Sequence, residues 1–337
     1  MNTINNHEIV DYESYPSLFE QFISKRGLAK SSVRTYRSAI RDYELFNRMS
    51  IEDLIEEADI EEENNVRMKR RRLKNRLENY LLHNINTSDL LNSSSLKYFN
   101  LVLSFYRHFQ IQIPYLQKPI IKKDYHITYA DIPNEHHIRK ALNACNNIKE
   151  EAIILFMSSS GSAKNEILHL KVSDFFNATK EYHNEGSIAE MLKMLKDPKN
   201  QEGYGIVPLF ELVRLKTDYL YYTCCSPEAS NRIISELVNR YDMGNLNLDD
   251  YLFDMTDGQL LYFFRRINKK YNWGKVGTFD FWHSHALRKF VAMAIGDKSL
   301  VDAIQGRRRD TITEAYFIHN PYSIKEMYLK VMHKVRV

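Results

Sequence analysis

Residues 283–296 read HSHALRKFVAMAIG, and the fold that the sequence predicts follows from this stretch. Apolar residues at helical spacing predict a helix from His283 to Ile295, which Gly296 would end. His285 and Arg288 are three residues apart and therefore project from the same face of that helix. Both can donate to one phosphate group, and the planar guanidinium can hold two phosphate oxygens at once. Such a pair also occurs by chance in structural helices, so its meaning depends on the residues around it.

Two residues outside this helix extend the pattern towards phosphoryl transfer. Lys216 lies between the β-favouring runs 206–210 and 219–223, which predict a hairpin with the lysine at or beside its tip. There its ammonium could protonate a leaving sugar oxygen, although most hairpin lysines are only solvated. Tyr316 follows the helical arginine by 28 residues, behind the basic run 306–309. A tyrosine nucleophile would form a covalent phosphotyrosine that stores the bond energy, so rejoining would need neither ATP nor a metal.

Length and composition describe a folded protein with more than one domain. At 337 residues the chain exceeds the usual size of a single core, and 44% of its residues are hydrophobic. The net charge is only +4, but 47 basic and 43 acidic residues can be segregated along the chain, so nucleic acid is an allowed partner. The three cysteines lack metal-ligand spacing, which predicts a reduced setting and no metal site. Neither a membrane helix nor a signal peptide is indicated, so we expect a cytoplasmic protein.

Helical periodicity dominates the chain, and one β-hairpin interrupts it. We therefore predict a mainly α fold with a small β-sheet element, organised as two domains. Pro114 and Pro119 break the helical pattern, and we interpret 112–131 as a linker. It separates a helical domain at 1–111 from a mixed α/β domain at 132–337, which ends in a helical tail.

An abrupt charge switch marks the first predicted domain. Residues 51–65 contain eight Asp or Glu, whereas residues 67–76 contain seven Lys or Arg and no acid. We interpret 51–76 as helix with one acidic and one basic end. The basic residues either form a solvated helix face or contact DNA phosphates. The seven candidates for DNA contact are Arg67, Lys69, Arg70, Arg71, Arg72, Lys74 and Arg76.

The order of lysine, HxxR and tyrosine resembles that of the tyrosine recombinase or phage integrase family. In detail the sequence is similar to those of integrases of methanogenic archaea and their proviruses. The similarity covers nearly the whole chain. Residues 27–36, GLAKSSVRTY, resemble the opening of the family's core-binding domain, and residues 160–170, SGSAKNEILHL, resemble its first catalytic box. The resemblance implies a helical core-binding domain that clamps DNA and a mixed α/β catalytic domain. It also implies strand cleavage through a covalent 3′-phosphotyrosine, without a cofactor.

The resemblance also assigns catalytic roles, with two departures from the family pattern. The nucleophile, the hairpin lysine and the histidine and arginine of the second box correspond to Tyr316, Lys216, His285 and Arg288. Arg307 replaces the histidine of the third box, one hydrogen-bond donor for another. In the first box the family has an arginine, whereas the only basic residue here is Lys164, which keeps the charge but loses the bidentate fork. Weaker catalysis is expected unless a neighbouring arginine substitutes.

The activity implied by the resemblance is site-specific recombination that integrates or excises a mobile or viral element. Its expected partners are double-stranded DNA attachment sites, a homo-tetramer during synapsis, and accessory DNA-bending or excision factors. One alternative is a DNA-binding derivative that lost its chemistry through Lys164, and another is a type IB topoisomerase. A third is a helical regulator, in which the candidate catalytic side chains would not meet. The tail 321–337 could dock on a neighbouring protomer or pack on its own domain.

Overall fold

The computed structural model describes residues 17–87, 91–117, 119, 124–183, 186–307 and 320–337. Tyr316, the predicted nucleophile, lies outside the described residues. The chain divides into two compact units, Met1–His126 and Ile127–Val337. The division falls within the segment 112–131 that we interpret as a linker, and the roles of the two domains stay a prediction. In the described ranges no helix is long and apolar enough to cross a membrane.

The first unit consists of helices packed around an aromatic core. Its α-helices are α1 (Ser17–Arg26), α2 (Lys30–Asn47), α3 (Ile51–Glu63), α4 (Arg72–Asn86) and α5 (Asn92–His108). The apolar residues of α2 recur at steps of three and four, so that Tyr36, Ile40 and Tyr43 lie on one buried face. Helix α2 packs against α5. The ring of Tyr43 meets that of Tyr80 edge-on, with 4.9 Å between centroids, an arrangement that aromatic rings prefer.

The charge switch at residues 51–76 separates two helices rather than the two ends of one. After α3, Asn65 adopts a left-handed backbone with φ of 53°, and a 3-10 turn at Met68–Arg70 leads into α4. The chain turns back, and carboxylates of α3 meet guanidinium groups of α4. Glu57 lies 2.7 Å from Arg76 and 3.0 Å from Arg72. The single-helix interpretation is therefore wrong, because a charge pattern does not record where the chain turns.

These ion pairs occupy part of the run that was predicted to contact DNA. The side chain of Arg71 is only 8% exposed and donates to Glu62 and to the carbonyl of Val66, so its donors are directed into the protein, and its phosphate contact stays a prediction. Arg72 and Arg76 are held by the α3 carboxylates described above, and Lys74 lies 3.9 Å from Glu78. The basic residues of this run that are exposed, and for which the described part of the chain offers no ion pair, are Arg67, Lys69 and Arg70.

The second unit is mainly helical with two small antiparallel sheets. Its α-helices are α6 (Glu135–Leu142), α7 (Ile148–Ser160), α8 (Lys164–His169), α9 (Val172–Ala178), α10 (Ile188–Leu195), α11 (Pro227–Asp242), α12 (Asp257–Lys270), α13 (Ser284–Ile295), α14 (Lys298–Ile304) and α15 (Pro321–Val331). Its strands are β1 (Leu209–Arg214), β2 (Tyr219–Cys224), β3 (Lys275–Val276) and β4 (Phe279–Asp280), paired as two hairpins. The predicted fold class, mainly α with a small β element, is confirmed.

Helix α7 lies at the centre of this unit and positions the loop that follows it. The helix is buried on nearly every side and packs against α11 and α13. Its terminal serines are buried too, and their hydroxyls donate back to helix carbonyls, as Ser159 does to Leu155 at 2.6 Å. Gly161, with φ of 66°, ends the helix in the left-handed conformation that favours glycine. The segment after Gly161 is thereby placed beside α13, the helix that carries the HxxR pair.

The C-terminal helix α15 packs on its own unit in this structure. Tyr328 is fully buried, and its hydroxyl donates to the carbonyl of Ser159 at 3.1 Å. Ile324, Met332 and Val335 are also buried in the same core. The tail therefore packs on its own unit within this chain, and its docking on a neighbouring protomer stays a prediction.

Candidate active site

One cavity in the second unit brings together four of the candidate catalytic side chains. It has a volume of about 280 Å³, and Lys164, Lys216, His285 and Arg288 all line it. These residues come from α8, from the β1–β2 turn and from α13, so segments that are distant in sequence meet here. The regulator alternative predicted no such convergence, and for these four described residues that prediction is wrong.

Arg288 is the most firmly fixed of these side chains. It is 4% exposed, and its guanidinium donates to the carbonyl of Gly161 at 2.8 Å and to the carbonyl of Gln305 at 2.5 Å. Burial, followed by the nearby charge of Arg214, lowers the pKa of Arg288 to about 10. The group therefore stays charged at neutral pH. A buried guanidinium at the wall of a cavity is suited to bind an anion there.

The residue that links these segments is Gln305, which follows α14. Its carbonyl accepts the bond from Arg288 described above, and its side-chain Nε2 donates to the carbonyl of Arg288 at 2.9 Å. Gln305 is fully buried, and a Cβ at Gly161 would lie 2.8 Å from its Nε2. Glycine at 161 is therefore needed for Gln305 to hold the arginine in place.

His285 lies one helical turn before Arg288 at the exposed side of the cavity. Partial burial, followed by the positive charges of Lys289, Arg288 and Arg307, lowers the pKa of His285 below its ordinary value of 6.5. The imidazole is therefore neutral at pH 7. A neutral imidazole can donate a hydrogen bond through one nitrogen and accept a proton at the other.

The two lysines of the cavity have different surroundings. Lys216 is exposed in the turn that joins β1 to β2, as the sequence predicted. Lys164 begins α8, and its ammonium lies 2.5 Å from a carboxylate oxygen of Asp257 at the start of α12. Lys164, which the sequence suggested for the first box, is thus already paired with an acid.

Arg307 does not line the cavity but lies close to it. Its positive charge contributes to the lowered pKa of both Arg288 and His285. Its guanidinium lies 3.3 Å from a carboxylate oxygen of Asp302, in an exposed ion pair. The structure therefore places it at the edge of the candidate site.

Two charged residues to which the sequence gave no role also line the cavity, Arg214 and Glu166. Arg214 is the last residue of β1, two positions before Lys216. Its short separation from Lys216 in sequence was the available signal for this arginine. Glu166 is 6% exposed, and its Oε2 has no hydrogen-bond partner among the described residues.

Comparison with known proteins identifies the fold. No protein-family model and no curated protein matches the sequence. The XerH site-specific recombinase bound to its difH substrate in a pre-cleavage complex aligns with a TM-score of 0.52 and 15% identity, over 91% of this chain and 82% of that chain. The Tn1549 transposon integrase in complex with circular intermediate DNA aligns with a TM-score of 0.51 and 14% identity, over 92% and 96%. At these identities the likeness shows the fold, which is that of two-domain tyrosine recombinases.

Proposed function

We propose that this chain is a site-specific DNA recombinase that cleaves and rejoins DNA strands through a covalent 3′-phosphotyrosine at Tyr316. The observation that carries the proposal is the cavity at which Lys164, Lys216, His285 and Arg288 meet. The fold of DNA recombinases and the charge of these side chains support the same function. Such an enzyme would integrate or excise a mobile or viral element, and the resemblance to archaeal provirus integrases makes a provirus our first candidate.

In the proposed reaction, the hydroxyl oxygen of Tyr316 attacks the phosphorus of the scissile phosphodiester. A bond from phosphorus to the tyrosine oxygen forms, and the bond from phosphorus to the 5′ oxygen breaks. Lys216 gives a proton to the departing 5′ oxygen, and the neutral imidazole of His285 can take the proton that the tyrosine loses. Arg288 stabilises the negative charge that develops on the non-bridging oxygens. Rejoining reverses these steps with the 5′ hydroxyl of another strand.

The proposed partners are double-stranded attachment sites, a homo-tetramer during synapsis, and accessory DNA-bending or excision factors. In the first unit, Arg67, Lys69 and Arg70 are the residues that we propose to contact DNA phosphates, because they are exposed and free of the α3 carboxylates. Each such contact would raise the dependence of DNA affinity on salt concentration. Base recognition cannot be assigned from charge alone, because phosphate contacts carry no direct sequence information.

The test begins with a DNA sequence that the protein itself selects. A library of randomised duplexes is enriched for binding to the Tyr316→Phe variant, and a series of nicked duplexes is then built on the selected sequence, with the nick moved one nucleotide at a time. Cleavage next to a nick releases a short fragment and traps the covalent intermediate. The native chain should give a protein–DNA adduct that survives denaturing electrophoresis, whereas Tyr316→Phe should give none.

A second candidate function, DNA binding without cleavage, is favoured by the ion pair between Lys164 and Asp257. If this pair persists on DNA, the first box supplies no free positive charge to the phosphate. The two functions are separated by the same nicked duplexes. DNA binding without an adduct, in both the native chain and the Lys164→Arg variant, would establish the binding protein and refute the recombinase.

A further inference from the structure

We propose that Arg214 is a further catalytic residue, which binds the scissile phosphate beside Arg288 and supplies the guanidinium that the first box lacks. The inference deepens the proposed function and rests on it, because it requires a phosphodiester to enter the cavity. It concerns a residue to which the family resemblance assigns no role. The geometry, the charge and the state of Lys164 each support it independently.

Geometry brings Arg214 to the same point as Arg288. One nitrogen of Arg214 donates to the carbonyl oxygen of Gln305 at 2.9 Å, and one nitrogen of Arg288 donates to that same oxygen at 2.5 Å. Two guanidinium groups therefore converge on one backbone acceptor at the wall of the cavity that both of them line. Each group has five N–H donors, so both keep donors available for a phosphate.

The local charge at this point is not neutralised by an ion pair. In the described ranges, no carboxylate lies within ion-pairing distance of Arg214 or Arg288, and the nearby positive charge of Arg214 contributes to the lowered pKa of Arg288. Glu166 is the one carboxylate whose charge acts favourably on Arg288 there, without a hydrogen bond to it. Two like charges held close together gain when an anion binds between them. A phosphate is such an anion, and two of its oxygens can accept two parallel hydrogen bonds from one guanidinium group.

Lys164 is less suited to this role than Arg214. Its ammonium is paired with Asp257 at 2.5 Å, so a phosphate would have to compete with a carboxylate for it. Arg214 is also better fixed, because it belongs to the last ladder pair of the β1–β2 hairpin, opposite Tyr219. Both residues line the cavity, Arg214 from the last position of β1 and Lys216 from the turn that follows it. Arg214 can therefore hold the phosphate while Lys216 reaches the departing oxygen.

The expected effect follows from the charge that Arg214 would stabilise. Loss of one fixed donor to a developing oxyanion typically slows the chemical step by about 10²–10³-fold. We expect a loss of this size for Arg214→Ala in single-turnover cleavage of the nicked duplex. Arg214→Lys should retain part of the rate, because it keeps the charge and loses the fork. Arg265→Lys is the matched control, since Arg265 is an exposed arginine of the same unit that does not line the cavity.

A methylphosphonate at the scissile position separates catalysis from structure. Replacement of one non-bridging oxygen by methyl removes the negative charge that Arg214 would stabilise. For this substrate the penalty of Arg214→Ala should shrink to below about 10-fold, because the charge-stabilising contact no longer matters. An equal penalty on phosphate and methylphosphonate would show a structural role and overturn the inference, as would a loss of less than about 3-fold on phosphate.

A binding readout keeps the inference testable if the native chain makes no adduct and the recombinase proposal fails. Methylphosphonate is then placed at each position of the selected duplex in turn, and affinity is measured with Tyr316→Phe and with the Tyr316→Phe, Arg214→Ala double variant. One position should lower the affinity of the first protein and have little further effect on the second, since both changes remove one contact. Additive effects at every position would overturn the Arg214–phosphate contact.

Discussion

Gly161→Ala tests whether close packing at the end of α7 holds the candidate site together. Alanine at a left-handed position costs about 1–2 kcal/mol in backbone energy alone. The new Cβ would also lie 2.8 Å from Nε2 of Gln305 and 3.2 Å from Cγ1 of Val291. Gln305 cannot simply move aside, because it is fully buried and its Nε2 is bonded to the carbonyl of Arg288. Overpacking of this kind costs a further ~1–3 kcal/mol.

Gly296→Ala is the matched control for this variant. Gly296 ends α13 with φ of 76°, as Gly161 ends α7 with φ of 66°, but a Cβ at Gly296 would meet no atom within 4 Å. Both variants therefore share the backbone cost, and only Gly161→Ala adds the clash. The difference between their free energies of unfolding should be about 1–3 kcal/mol.

Equilibrium unfolding in urea, followed by tryptophan emission, measures this difference for the second unit, which contains the candidate site. Both tryptophans, Trp273 and Trp282, lie in the second unit, so their emission does not report on the first. Gly161→Ala should in addition slow cleavage by about 10²-fold or more, because a displacement of Gln305 moves both arginines that donate to it. Equal destabilisation by the two alanines, or normal cleavage by a Gly161→Ala protein that is folded, would refute this account.

Three further outcomes are expected. Lys164→Ala should slow single-turnover cleavage by less than about 10-fold, because the ammonium of Lys164 is already paired with the carboxylate of Asp257. A loss of about 10²-fold would show that Lys164 contacts the phosphate instead. The hydrogen bond from Arg76 to Glu57 lowers the pKa of Glu57 below 4.5, so the stability that this bond gives the first unit is present above pH 4.5 and is lost as the pH falls through the pKa of the folded state. In Glu57→Gln the stability of the first unit, measured by far-UV circular dichroism, should therefore fall less steeply in acid. An unchanged pH dependence contradicts this prediction. Burial lowers the pKa of His137 and His283 below 6.5, so the unfolded state binds protons more readily than the folded state does. The stability of the second unit, followed by tryptophan emission, should therefore decrease as the pH falls below about 6.5. A stability that does not decrease there argues against this prediction.

The helices and the hairpin of the second unit were predictable because their patterns are local. The period of apolar residues predicted the helix 283–295, and glycine is the expected residue at its left-handed end, where the structure has Gly296. The β-favouring run 219–223 predicted β2 for the same reason, whereas the run 206–210 shares only Leu209 and Phe210 with β1. Each of these signals depends on neighbours within a few residues, so no knowledge of the tertiary fold was required.

Features that depend on distant segments were not predictable in the same way. The charges of 51–76 were visible, but the turn at Asn65 that brings the acidic and basic parts face to face was not. Similarly, the sequence shows an arginine at 214 and another at 288, without showing that both donate to a carbonyl at Gln305. That carbonyl is 91 residues from Arg214, and only the packing of α14 against β2 brings the segments together.

The charges of the described residues indicate where an anion would bind in the cavity. Lys164 and Arg307 are each paired with an aspartate in this structure. Arg288 and Arg214 have no such partner in the described ranges and converge instead on a carbonyl oxygen, which carries no formal charge. An anion in the cavity would therefore be drawn towards these two guanidinium groups rather than towards Lys164 or Arg307. If cleavage occurs, its dependence on position 214 should accordingly exceed its dependence on position 164.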